Sequence, residues 1–144
     1  MQFFDASALV KRYVREPESV RVRRLLRADA VAVSRLSEVE VVSAFARLAR
    51  DHALTPGQRD RATAAFVRDL GAWVVVELTT TVTTTARRLL LQHALRAGDA
   101  LQLASALTLQ SAIGEPLTSL IAYDLRLIDA ARAEQLVVMG PLRT

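Results

Sequence analysis

Of the fifteen acids in the chain, three stand where a hydrolytic site would need them. Asp5 closes the apolar run Gln2 to Phe4, Asp124 closes Ser119 to Tyr123, and Asp99 follows Gly98 at the head of the strongly apolar stretch GDALQLASAL. Hard divalent ions such as magnesium and manganese take oxygen ligands, typically a few carboxylates plus water. Acids gathered at one sheet edge supply such ligands. Each acid also has a plainer reading. Asp is a favoured N-cap, because its carboxylate accepts the orphan amides of a helix's first turn, and all three sit where a helix is expected to begin. Glu40 lies three residues after Ser37, the spacing of a capping box. Singly, each acid reads as a cap; the placement of two at the ends of apolar strands points to a shared site.

Short β-branched or aromatic runs predict strands at Gln2 to Phe4, Ala30 to Val33, Trp73 to Leu78, Ser119 to Tyr123 and Leu136 to Met139. Between them, helices are expected over Pro17 to Ala28, Ser37 to Ala53, Thr55 to Leu70, Val82 to Leu95 and Asp99 to Ile113, with another after Asp124. Alternating strands and helices imply an α/β fold, a three-layer α/β/α domain with a central parallel sheet. In such sheets function gathers outside the carboxyl ends of the strands, where Asp5 and Asp124 fall. If those two strands are neighbours, the two carboxylates face each other.

A chain of 144 residues suits one core, so residues 1 to 144 are expected to form a single domain. Half of the residues are hydrophobic and about a quarter charged, the balance of a globular domain. No apolar run is long enough to span a bilayer, the N-terminal segment does not read as a secretion signal, and a cytoplasmic location is expected. With no cysteine there is no disulfide, zinc-thiolate site or thiol nucleophile. Neither a Walker loop nor a dinucleotide fingerprint is present, and His52 and His93 have no acid or nucleophile at a telling spacing. Of the 19 basic side chains only Lys11 is not arginine, and residues 11 to 27 carry a local excess of +5 against +4 for the whole chain. Within that segment Lys11, Arg21 and Arg24 are candidate contacts to RNA or to an acidic partner; solvated helix faces are the plainer reading.

Four segments resemble, in order, the motifs of PIN-domain ribonucleases, in particular the VapC-type toxins of toxin-antitoxin systems. FFDASALVKRYVREPES (3–19) is similar to their opening, VSRLSEVEVVSAFAR (33–47) to the second acidic motif, AGDALQLASAL (97–107) to the third and LIAYDLRLIDAARAEQL (120–136) to the segment carrying the fourth acid. The resemblance implies catalytic, metal-holding roles for Asp5, Glu40, Asp99 and Asp124, with Ser7 as a supporting hydroxyl. Where the family commonly has Thr or Ser two residues before the last acid, this chain has Ala122. For the second acid two readings stand side by side. At the helical period Glu38 falls on an apolar arc with Val42, Phe45 and Ala49, while Glu40 lies with Ser43 and Arg47 on the polar side. The pattern therefore favours Glu38, and the family spacing through EVVSAFAR favours Glu40.

The implied reaction is hydrolysis of a single-stranded RNA by water activated on one or two magnesium or manganese ions. The implied partners are the RNA substrate, a small antitoxin protein and a second copy of the chain in a homodimer, with no membrane. The alternative from another class is a PIN-like module that binds RNA or assembles without cutting; the four filled acid positions argue against it. A receiver-like phosphoacceptor would want adjacent acids after the first strand, and an aspartyl phosphohydrolase a second Asp where Ser7 stands.

Overall fold

In the computed structural model, which describes residues 1–142, five parallel strands run in the order β3-β2-β1-β4-β5. They are β1 (Gln2–Phe4), β2 (Val31–Ser34), β3 (Val74–Val76), β4 (Ser119–Ile121) and β5 (Val138–Met139). Side chains alternate between the two faces of a strand, and neighbouring Phe3 and Phe4 accordingly enter different cores. On Phe4's face, Val33 and Ile121 pack against α1 (Ala6–Tyr13), α2 (Ser19–Ala28), α3 (Leu36–Arg50) and α4 (Pro56–Leu70) through Leu9, Val22, Phe45 and Phe66. Tyr13, Phe45 and Phe66 meet edge to face there, with ring centroids 5.6 to 6.5 Å apart. On Phe3's face, Leu120 packs against α5 (Thr80–Gln92), α6 (Ala97–Ile113) and α7 (Leu125–Ala133) through Leu89, Leu103 and Leu127. This is the expected three-layer α/β/α arrangement. No helix of the described residues is long and apolar enough to cross a membrane.

Local differences from the sequence expectations have local causes. Pro17 does not open α2: it sits in a turn with Glu18, whose φ of 69° is left-handed, and the helix starts at Ser19. The Ser19 hydroxyl accepts the Glu16 amide at 2.9 Å and donates to the Val14 carbonyl at 3.1 Å, holding that turn closed. Helix α3 ends at Arg50 rather than Ala53, where the chain reverses through His52 at φ 61°. Thr55 caps α4 in a reciprocal pair with Gln58, which places Pro56 in the first turn.

Candidate metal centre

The pairing of β1 with both β2 and β4 brings the carboxyl ends of three strands together, in the register Phe4↔Val33 and Phe4↔Ile121. Asp5 leaves β1 at that edge and caps α1. Its Oδ1 accepts the Ala8 amide at 3.0 Å and the Ser7 hydroxyl at 2.7 Å. Ser7 in turn accepts the Tyr123 amide at 3.0 Å, so one hydroxyl ties the first acid to the chain leaving β4. Asp124, just beyond the end of β4, caps α7 through the amides of Arg126 and Leu127. Asp99 is not the N-cap of its helix. Helix α6 already begins at Ala97, and Asp99 stands inside the first turn with its Oδ2 3.4 Å from the Arg96 amide.

Packing sends Glu38 and Glu40 in different directions. The stripe of α3 that faces the core runs through Ser37, Val41 and Phe45, so Glu38 and Glu40 lie on opposite flanks. Glu38 turns away to pair with Arg35 at 2.9 Å, and Arg35 also grips Glu77. Glu40 turns toward α6, where its Oε1 accepts from Gln102 Nε2 at 2.8 Å. A Cβ on Gly98 would stand 3.1 Å from Glu40 Oε2, so the glycine before Asp99 makes room for the acid on the facing helix. The packed stripe differs from the apolar arc through Glu38, because Val42 and Ala49 sit at its margin and Ser37, a polar residue, helps to form it. Glu40→Gln is therefore expected to remove activity that Glu38→Gln largely keeps; cleavage assays on the two variants check this, and the reverse ranking would contradict the placement.

Sequence reasoning missed Gln102. It is buried within the third motif, and its amide donates to both Glu40 and the Ser37 hydroxyl, the latter at 3.0 Å. Below it Ser105 donates to Ser34 Oγ at 3.0 Å. A polar strip thus joins α6 to β2 and α3 beneath the acids. Its signal in the sequence was a pair of polar residues, Gln102 and Ser105, inside the otherwise apolar stretch ALQLASAL.

Asp5 and Asp99 are burdened by burial first and by neighbouring acids second. Burial, above all, pushes the Asp5 carboxyl up to about 7; the Ser7 and Ala8 hydrogen bonds oppose this, and the charges of Glu40 and Asp99 add to it. The Asp99 carboxyl is likewise raised, first by burial and then by Asp124. Among the described residues no three of these side chains already form a cage around one point. All four nonetheless offer carboxylate oxygen, the chemistry that suits a hard divalent cation, and Glu40 lines a cleft. That cleft, about 540 Å³, runs from Ser7 and Glu40 between α1 and α3. Lys11 lies along its wall, 3.1 Å from Glu16 and 4.6 Å from the Tyr123 ring centre, and the exposed Arg47 stands on its rim. The histidines stay outside: His93 ends α5 beside Glu134 at 3.0 Å, and His52 is in the exposed turn after α3.

Residues 3–133 match the family model of the PIN domain. The chain is a PIN domain protein. It is 40% identical over 132 residues to proteins named Ribonuclease VapC45 and Ribonuclease VapC49, from two strains of Mycobacterium tuberculosis, a span of 91% of this chain and 89% of each relative. Solved PIN-like structures share the fold at lower identity. The sarcin-ricin loop cleaving toxin VapC20 of Mycobacterium tuberculosis superposes with a TM-score of 0.68 at 18% identity, covering 98% of this chain and all of the other. A toxin-antitoxin complex from Klebsiella pneumoniae gives the same TM-score and identity with full coverage of both chains. The parallel PIN sheet accounts for the exit of Asp5 and Asp124 at one edge.

Proposed function

We propose that this chain is a metal-dependent endoribonuclease that cuts single-stranded RNA, and the toxin of a bacterial toxin-antitoxin pair. The observation that carries this reading is the exit of Asp5 and Asp124 from paired parallel strands at the carboxyl edge, with Glu40 turned toward Gly98 beside Asp99, in a chain similar over nearly its whole length to proteins named as ribonucleases. Residues 1–144 act as one domain. A magnesium or manganese ion held by these four acids would supply Lewis acidity to water and charge for the phosphate in flight. The chain's own residues arrange the rest. Ser7 holds Asp5 in place from the side of β4, and Gln102 and Gly98 hold Glu40 toward Asp99. Arg47 puts positive charge on the rim of the cleft through which a phosphodiester would enter, and Lys11, paired with Glu16, lines its wall. A small antitoxin protein covers that cleft in the resting pair, two copies of the chain associate as a homodimer, and the protein works in the cytoplasm.

Purified protein freed of any partner is expected to cut a structured RNA panel at unpaired sites with magnesium or manganese, to stop in excess chelator, and to be inert as Asp99→Asn. Undiminished cutting in chelator would remove the metal from the mechanism. Inactivity on the whole panel would return the fold to a binding role.

A further inference from the structure

The basic segment expected from the sequence resolves into separate places. Lys11 belongs to the acid cleft. Arg21 is engaged within the chain, its Nη1 2.9 Å from Glu18 and 2.6 Å from the Gly140 carbonyl, which fastens the end of the chain to α2. Arg24 is exposed and lines neither of the hollows nearby. The other arginines of the segment gather at the far end of α1. Arg12, Arg15 and Arg23 line a groove of about 590 Å³ together with Arg61 of α4. An adjoining recess of about 160 Å³ shares Arg12 and Arg23 and adds Arg27, Trp73 and Asp69.

Asp69 is the one acid on either lining, and it is already taken: it accepts the Tyr13 hydroxyl at 2.6 Å and Arg12 Nε at 3.4 Å. Among the described residues no carboxylate pairs with Arg15, Arg23, Arg27 or Arg61, and Arg15, Arg27 and Arg61 are exposed. Like charges crowded on one concave wall repel, and a row of anions laid in the groove relieves that repulsion.

We propose that this arginine groove is a second nucleic-acid site, which holds the phosphate backbone of the RNA away from the point of cutting. The inference extends the ribonuclease reading of the acid cleft and rests on it. Guanidinium forks match phosphate oxygens two at a time. Trp73 adds an aromatic wall, which suits a base and has no use for a carboxylate side chain. The placement fits as well. Helix α1 begins at its cap Asp5 and ends at Tyr13 beside the groove, so its eight residues separate the two sites by ~12 Å. A single strand of a few nucleotides spans that distance.

The test reads binding in a background that cannot cut, so it is independent of whether the wild type cleaves. In Asp99→Asn protein, a fluorescent single-stranded oligouridylate is titrated over a series of salt concentrations. Adding Arg15→Glu and Arg61→Glu is expected to weaken binding about tenfold or more and to flatten the dependence of log affinity on log salt by about 1.4, at about 0.7 for each phosphate no longer neutralised on a single strand. Reversing Arg87 and Arg132, exposed on the other face of the sheet, should leave that slope in place. The neutral pair Arg15→Gln and Arg61→Gln should flatten the slope as well, which keeps the result readable if the Glu pair folds poorly. Affinity and slope equal to those of the Arg87 and Arg132 control would overturn the proposal. So would unchanged RNA binding together with weakened binding of an oligoglutamate peptide, which would give the groove to an acidic protein partner.

Discussion

In chelator, Asp5→Asn should become steadily more stable relative to the wild type as the pH rises from about 4 to about 7. Asp5 is 5% exposed, and burial lifts its carboxyl from 3.8 to about 7 despite two hydrogen bonds that favour the ionised form. A carboxyl whose folded value lies above its unfolded value binds its proton more tightly in the folded state. Its contribution is therefore intact below the unfolded value and is lost as the pH climbs through the folded one. The slope of the difference is at most ~1.4 kcal/mol per pH unit, and a few kcal/mol accumulate across the window. Asparagine keeps an oxygen for the Ala8 amide and caps about as well as aspartate, so the variant isolates the charge. Denaturant unfolding of both proteins across this pH range measures it. Parallel curves would mean that Asp5 titrates alike in the folded and unfolded states and that its burial carries no charge penalty.

Manganese should reverse that burden. A ligand that binds only the folded state stabilises it by roughly 2.7 kcal/mol at a hundredfold excess over its dissociation constant, and converging carboxylates create the differential affinity this requires. Asp99 has the central place, because its charge raises the Asp5 carboxyl and its own is raised by Asp124. Asp99→Asn should thus melt above the wild type without metal and lose most of the gain with it. The two shifts have opposite sign, which loss of packing alone would not produce. Little helix stability is at stake in the change, because an asparagine oxygen can still accept the long hydrogen bond from the Arg96 amide.

The layers and the pairing of the two strands that lead into Asp5 and Asp124 were legible in the sequence because both depend on period and on strand ends. Runs such as Gln2 to Phe4 are buried on both faces, as strands covered on both sides must be, and parallel strands bring their carboxyl ends to one edge. What was not legible depends on contacts between distant segments. The direction of Glu40 is set by Gln102 and Gly98, on another helix far along the chain, and no periodicity within α3 contains that information. Helix α6 is apolar nearly all round, so its start cannot be read from a stripe, and Asp99 has the look of a cap although it lies within the first turn. Pro17 carries the signal of a first helical turn as well as that of a tight turn, and Ser19 closing onto Glu16 and Val14 selects the second. The basic segment was visible as charge, but its division among the cleft, the Glu18 contact and the arginine groove follows from how α1, α2 and α4 pack.

Whether four carboxylates from separate motifs form one cation site can be read from thermal unfolding of the wild type and of Asp5→Asn, Asp99→Asn and Asp124→Asn, each with chelator and with excess manganese. Manganese should raise the melting temperature of the wild type by several degrees, and each Asn variant should lose most of that gain. In chelator, Asp5→Asn and Asp99→Asn should melt above the wild type. Four proteins that melt alike and do not respond to manganese would contradict the shared site, leaving three aspartates at helix starts and no metal centre.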